Sequence, residues 1–231
     1  MKPSKTIEKI RKYLAEFNRK KEPEALVNSL ETRSKKLNQI HDELYSVSYK
    51  NMAQLLTPPV SRDQIERWMD GREEISDDYF QQVIELRTLI QVKVLDAIDT
   101  ILQQNQPRTY LVYHVSDWTL EDYEPEQYQL FGNAEFHLSF IVKLRIALKN
   151  LNKNVYATRF NYQHYDSWLN IANRKNSPES LELWAKKRYE EGINYYGETS
   201  KEEEERTRKM IAPFVEQIEK ERAARGELPE S

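Results

Sequence analysis

Apolar residues recur at Phe80, Val83, Ile84, Ile90, Val94, Leu95, Ile98, Ile101 and Leu102, and steps of three and four over residues 76–104 predict one long helix. Ser76 can cap it, and Asp77 and Asp78 oppose the positive end of its dipole. The apolar positions cover more than one narrow face, so the helix is expected to bury against the segments on both sides of it in sequence. At about 1.5 Å per residue it is long enough to link them. Two earlier stripes have the same period. Ile7, Ile10, Leu14 and Phe17 follow a possible cap at Ser4, and Leu26, Leu30, Arg33, Leu37, Ile40 and Leu44 follow Pro23. The second stripe fits a helix packed on its own domain or a short dimer seam. Arg33 at a seam position and a repeat shorter than three heptads favour the former.

Beyond residue 107 the period changes. Residues 109–115, TYLVYHV, and 155–160 are β-branched and aromatic runs of strand length. Between them an acidic, aromatic loop over 117–129 leads to a helix over about 133–150 bearing Phe136, Phe140, Ile141, Leu144, Ile146 and Leu148. Strand, helix, strand is a right-handed crossover if the strands are parallel neighbours. Two strands alone are marginal, so a partner subunit or packed helices must complete the sheet. Tyr110, Val112, Phe136 and Phe140 are the candidate dimer contacts. Ser177-Pro178 starts another helix, with Leu181, Trp184, Ala185 and Arg188 on one side and Gly192 as its stop. A charged C-terminal segment follows, expected to dock through Met210, Ile211, Phe214, Val215 and Ile218. The expected fold class is mainly α (α+β). Its parts are an N-terminal helical extension (1–31), a helix-turn-helix domain with the long linking helix (32–104), a mixed α/β dimerisation region (105–197) and a charged C-terminal helix and tail (198–231).

Residues 51–75, NMAQLLTPPVSRDQIERWMDGREEI, have the layout of a helix-turn-helix DNA reader. Ala53, Leu55 and Leu56 supply a small residue and two anchors on the first helix, which Pro58-Pro59 stop. Ser61 can cap a second helix over about 62–69, and Gly71 can close it. Ile65 and Trp68, three apart, share its inner face. Arg62, Asp63, Gln64, Glu66 and Arg67 are left outward as the residues that would meet base edges, with Ser61 beside them. Lys50 and Asn51 at the start of the first helix, and Arg72 after the glycine, are expected to touch phosphate.

The string Ala53-x-Leu55-Leu56, then Val60-Ser61-Arg62, then Trp68-x-x-Gly71 resembles helix-turn-helix regulators of the Cro and lambda-repressor class. Trp68-x-x-Gly71-Arg72, followed by Ile75-Ser76-Asp77-Asp78, a long helix and a strand near Tyr110, is similar to the anti-CRISPR-associated transcriptional repressors and their uncharacterised bacterial relatives. The likeness covers about residues 37–148. It implies a homodimer that binds an inverted repeat in a promoter through the second helix of the motif and dimerises through the region after the long helix. Thr57-Pro58-Pro59 stand where most members have a single glycine, and Met69 stands where an acid often follows the tryptophan.

Charge complicates that expectation. The 231 residues carry a net charge of -3, which supplies no overall attraction to phosphate. Residues 1–50 hold 12 basic and 7 acidic residues, whereas 51–104 hold 5 and 10. Any DNA backbone would be met largely by the N-terminal third. A different class of function, a non-catalytic protein-binding module such as an antitoxin or an inhibitor of a phage or host factor, uses the same shape with an acidic surface. An enzyme is not expected. The four histidines have no metal-ligand spacing, the five glycines form no phosphate cradle, and cysteine is absent. No cofactor, metal or small-molecule substrate is inferred. With neither a signal peptide nor an apolar run of about 18 residues, a cytoplasmic location and no membrane partner are expected.

Overall fold

A computed structural model describes residues 30–44, 47–104 and 106–191. The stripe at 7–17 and the charged segment 198–231 lie outside the described residues. Among the described residues there are nine helices and two strands, in the order α1 (Leu30–Glu43), α2 (Tyr49–Leu55), α3 (Arg62–Met69), α4 (Asp77–Gln104), β1 (Arg108–Tyr113), α5 (Asp117–Tyr123), α6 (Pro125–Phe131), α7 (Ala134–Asn150), β2 (Asn154–Arg159), α8 (Tyr162–Ile171) and α9 (Pro178–Glu190). The described residues are mainly helical, with one small sheet. No helix among the described residues is long and apolar enough to cross a membrane.

Short polar side chains start most of these helices by accepting from an otherwise unpaired backbone N–H of the first turn. Ser48 accepts from Asn51 at 3.3 Å, Ser61 from Gln64 at 3.1 Å, Asn133 from Phe136 at 2.8 Å, Asn161 from His164 at 3.0 Å and Ser177 from Ser180 at 3.1 Å. Pro125 occupies the first turn of α6, and Gly132 ends it in the left-handed conformation. The acidic, aromatic stretch expected as a loop is therefore two seven-residue helices, α5 and α6. Neither is long enough to display a hydrophobic period.

The strands pair in parallel, with Arg108 opposite Asn154 and Tyr113 opposite Arg159. Alternation of side chains divides β1 between two cores. Leu111 and Tyr113 enter a large apolar cluster with α7 and α4, while Val112 enters a smaller one with Phe160, Tyr165, Leu181, Trp184 and Ala185. Helices α7 and α9 thus cover opposite faces of the sheet, and α4 lies against α7. Packed helices, the intramolecular option, complete this two-stranded sheet.

The larger cluster is continuous from Leu37, Ile40 and Leu44 of α1, through Met52, Ile65 and Trp68, along α4, to Phe136, Phe140 and Leu144 of α7 and on to Val155 and Ala157 of β2. The expected division between residues 104 and 105 therefore falls inside a shared core. A polar contact knits the same halves. The Ser48 amide donates to the Glu135 carboxylate at 2.7 Å. Arg33, at the doubtful seam position, bonds the Ile75 carbonyl at 3.0 Å and Asp77 at 2.6 Å. It ties α1 to the start of α4 within the same chain.

Gly132 has a φ of 76°, and a Cβ there would stand 2.7 Å from Cδ2 of Leu55. Backbone strain and this contact act together, although the leucine tip can yield. Gly132→Ala is expected to destabilise the fold by about 1–3 kcal/mol, read as a lower urea midpoint at unchanged slope.

Candidate nucleic-acid interface

Helix α3 is held from three sides. Ser34 and Asn38 of α1 both donate to the Met69 carbonyl, the latter at 2.8 Å. Gln82 of α4 grips the loop between α2 and α3 by accepting from the Thr57 amide at 2.7 Å and donating to its carbonyl at 2.9 Å. Tyr79, also on α4, packs on the Trp68 ring with centroids 5.3 Å apart and donates to the Pro58 carbonyl at 3.3 Å. Met52 and Ala53 of α2 and Leu56, which caps its C-terminus, are buried together with Ile65, Trp68 and Met69 of α3. The inner face expected from sequence is the inner face observed.

The outward residues are Arg62 and Asp63, exposed, and Gln64, Glu66 and Arg67, half-buried. Ser61 and Lys50 are exposed, and Asn51 is half-buried at the first turn of α2. None of the three arginines on this surface lacks an acidic partner. Arg62 bonds Glu66 through Nε at 2.8 Å and Nη2 at 2.7 Å. Arg72 bonds Asp70 at 2.7 Å. Arg67 donates from Nε to Glu73 at 2.9 Å and from Nη2 to Gln64, whose own amide donates to the other Glu73 oxygen at 2.6 Å. These hydrogen bonds from Gln64 and Arg67 hold the Glu73 carboxyl below the usual range. Residues 62–78 carry seven acids against three arginines. The face bearing Arg62 and Arg67 is consequently not a continuous basic surface. Sequence reasoning placed these side chains outward but did not anticipate Glu73, which follows Arg67 by six residues and reaches it because Gly71, at φ 68°, reverses the chain.

The expected dimer contacts are distributed differently. Val112, Phe136 and Phe140 are buried in the chain's own cores, which leaves none of them as a surface for a second copy. Core packing claims them because the strand is covered on both faces and α7 is buried on nearly every side. Tyr110 is half-buried, stacked on Tyr156 at 5.8 Å, and lines an open groove of about 610 Å³ between β1 and α9.

A second polar cluster brings together histidines far apart in sequence. Buried His114 sits between the Thr119 hydroxyl, 3.1 Å from Nδ1, and the Glu124 carboxylate, 2.7 Å from Nε2, and its ring centre lies 6.0 Å from that of His137. Hydroxyl, imidazole and carboxylate have the order of a nucleophilic triad. Thr119, however, is buried and donates to the Ser116 carbonyl at 2.8 Å. The hydroxyl is engaged in holding the first turn of α5, and the cluster locks α5 and α6 onto β1. Among the described residues no group of three or more His, Cys, Asp or Glu is arranged to hold a metal ion. Comparison of the chain with protein-family profiles and with curated proteins gives no match.

Burial lowers the His137 pKa to about 4; Glu124 opposes that shift and His114 adds to it. The unfolded chain takes up this proton near pH 6.5 and the folded chain only near pH 4, so the stabilising effect is complete above 6.5 and is lost progressively as pH falls to 4. The loss is at most on the order of 3 kcal/mol. Urea midpoints measured from pH 7 to pH 4 should fall, and His137→Leu should flatten the slope over that window. An equally steep slope in the variant would assign the pH dependence elsewhere.

Proposed function

We propose that this chain is a sequence-specific DNA-binding transcriptional regulator, a dimeric repressor of an inverted repeat, whose α2 and α3 act as a helix-turn-helix. The observation that carries the reading is the mounting of α3. A two-turn helix capped by Ser61 is fixed by α1, α2 and α4, with Arg62, Asp63, Gln64, Glu66 and Arg67 directed away from the core. A rigidly held helix of this length fits the major groove, where arginine reads guanine and glutamine reads adenine. Lys50, Asn51 and Arg72 flank it and would meet phosphate, which orients the protein without carrying sequence information. The resemblance of residues 37–148 to the repressors named above supports the same reading.

One observation favours a second reading. Pairing of each outward arginine with an acid suits a non-catalytic module that binds another protein, as an antitoxin or inhibitor does. Exposed ion pairs are worth only about 0.2–1 kcal/mol each, so phosphate or base contacts can displace them at small cost. The pairing therefore lowers affinity for DNA in general more than for a chosen site.

A gel shift with the region upstream of the chain's own coding sequence tests the primary reading. Arg67→Ala should weaken binding to the preferred site by about 1–3 kcal/mol and relax base preference. Unchanged binding to that site would remove α3 from the interface.

Dimerisation is proposed through residues 105–197, using surface near Tyr110 in place of the buried Val112, Phe136 and Phe140. Light scattering at micromolar concentration should give twice the chain mass, and the footprint should show two half-sites about 34 Å apart or a multiple of it. A monomer with a single, non-palindromic footprint would overturn the symmetric arrangement.

A further inference from the structure

We propose that Glu73, acting with Gln64, is a positioning residue that holds the Arg67 guanidinium in the pose in which it reads one guanine. The inference rests on the DNA-binding reading above and deepens it. Arg67, Gln64 and Glu73 form a closed ring of hydrogen bonds. Arg67 Nε donates to Glu73 Oε2 at 2.9 Å, Arg67 Nη2 donates to Gln64 Oε1, and Gln64 Nε2 donates to Glu73 Oε1 at 2.6 Å. Both carboxylate oxygens and both ends of the amide are used. The ring is also anchored in the backbone, since the amides of Arg72 and Glu73 both donate to the carbonyl of Arg67, at 2.9 and 3.2 Å. The turn that delivers the carboxylate is built on the residue it holds.

The chemistry left over on the guanidinium decides what the pose is for. Five N–H bonds form a planar fork, and the ring of contacts uses the one on Nε and one on Nη2. Among the described residues both protons of Nη1 and the second proton of Nη2 remain without a partner, and one from each nitrogen lie side by side along the end edge of the fork. That edge matches the N7 and O6 acceptors of guanine, the commonest specific pairing of arginine in the major groove. A fork fixed in advance loses less rotamer freedom when it binds. Arg62 contrasts with it. Both its Nε and its Nη2 converge on the single Oε1 of Glu66, one turn along the same helix, and its side chain is 66% exposed. Arg62 is a solvated i,i+4 pair, whereas Arg67 is bridged from two residues on two sides.

A negative charge beside a reading arginine also repels phosphate, so Glu73 should weaken binding to arbitrary sequence while sharpening discrimination at one base pair. Competition binding of the full chain distinguishes these effects, with a panel of duplexes that each carry one base-pair replacement in the preferred site. Glu73→Gln keeps the shape and one acceptor. It should bind arbitrary duplex a few-fold more tightly and lose about tenfold of its discrimination at one guanine. Gln64→Ala should lose discrimination at that same guanine, and adding Glu73→Gln to Arg67→Ala should change nothing further there.

Several outcomes would overturn the proposal. Tighter binding of Glu73→Gln with discrimination intact would make Glu73 a simple electrostatic brake. Loss of discrimination at a base pair other than the one affected by Arg67→Ala would separate the two residues. Either result leaves the DNA-binding reading standing. Failure of the native chain to bind any duplex would overturn both.

Discussion

Everything else in this fold depends on the burial of α7 between α4 and the sheet. A seventeen-residue helix with Phe136, Phe140, Ile141, Val142, Leu144, Ile146, Ala147 and Leu148 all buried cannot face water on any broad side. One side meets α4 and the other meets β1 and β2. At about 1.5–3 kcal/mol for each fully buried large aliphatic or aromatic side chain, this contact dominates every polar tie between the two halves. It also determines what α4 can do. Because Phe80, Val83, Ile84 and Ile90 pack in the same continuous cluster as α1 to α3 and α7, the platform that carries α3 is rigidly joined to the sheet. Movement of one relative to the other would open the core.

That rigidity bears on both proposed readings of α3. An exposed helix with paired charges is unremarkable on a mobile surface, since the pairs exchange with solvent at little cost. Held by Ser34, Asn38, Tyr79 and Gln82, the helix keeps a fixed position, and the orientation of its side chains becomes informative. The two readings of the protein differ only in what competes with Glu66, Asp70 and Glu73 for the arginines. DNA offers phosphates and guanine edges, whereas a protein partner offers carboxylates of its own. On either reading the acids would supply discrimination, because any ligand must do better than a contact already in place.

Much of the architecture was legible because strong local signals agreed with tertiary packing. The β-branched and aromatic runs at 109–115 and 155–160 became Arg108–Tyr113 and Asn154–Arg159, and the second motif helix has the expected bounds of Arg62–Met69. Helix α8 was missed. Its sequence, YQHYDSWLNI, carries polar residues between aromatics, and what secures it is the Asn161 cap and the wedging of Tyr165 among Phe160, Trp168 and Trp184. The cap and the Trp168 contact are local, but the Trp184 contact comes from α9 and no local pattern displays it. The site followed the same division. Outward positions on α3 follow from helical spacing, as does the Arg62 to Glu66 pair at i,i+4. The Glu73 contact needed the left-handed Gly71 and a turn closed on the Arg67 carbonyl.

The sheet illustrates how a sound physical premise can lead to more than one structure. Two parallel strands without cover are marginal, and from sequence a second subunit was one way to supply the missing surface. Here α7 closes one face and α9 the other, with Val112 buried beneath Trp184 and Leu181 while Leu111 joins the α7 side. Both faces are satisfied within one chain, so sheet completion no longer requires a partner. What a two-stranded sheet cannot satisfy internally are its outer edges, and the open groove beside Tyr110, Arg108 and Leu183 lies at one of the two elements that have such an edge. An association driven by that region would rest on edge and groove contacts and would be smaller and more polar than one sharing a core. Such interfaces belong to partners that meet and separate. A repressor built this way would form its tightest complex only when both copies are also held by one stretch of DNA, since the second contact is then intramolecular and its effective concentration high.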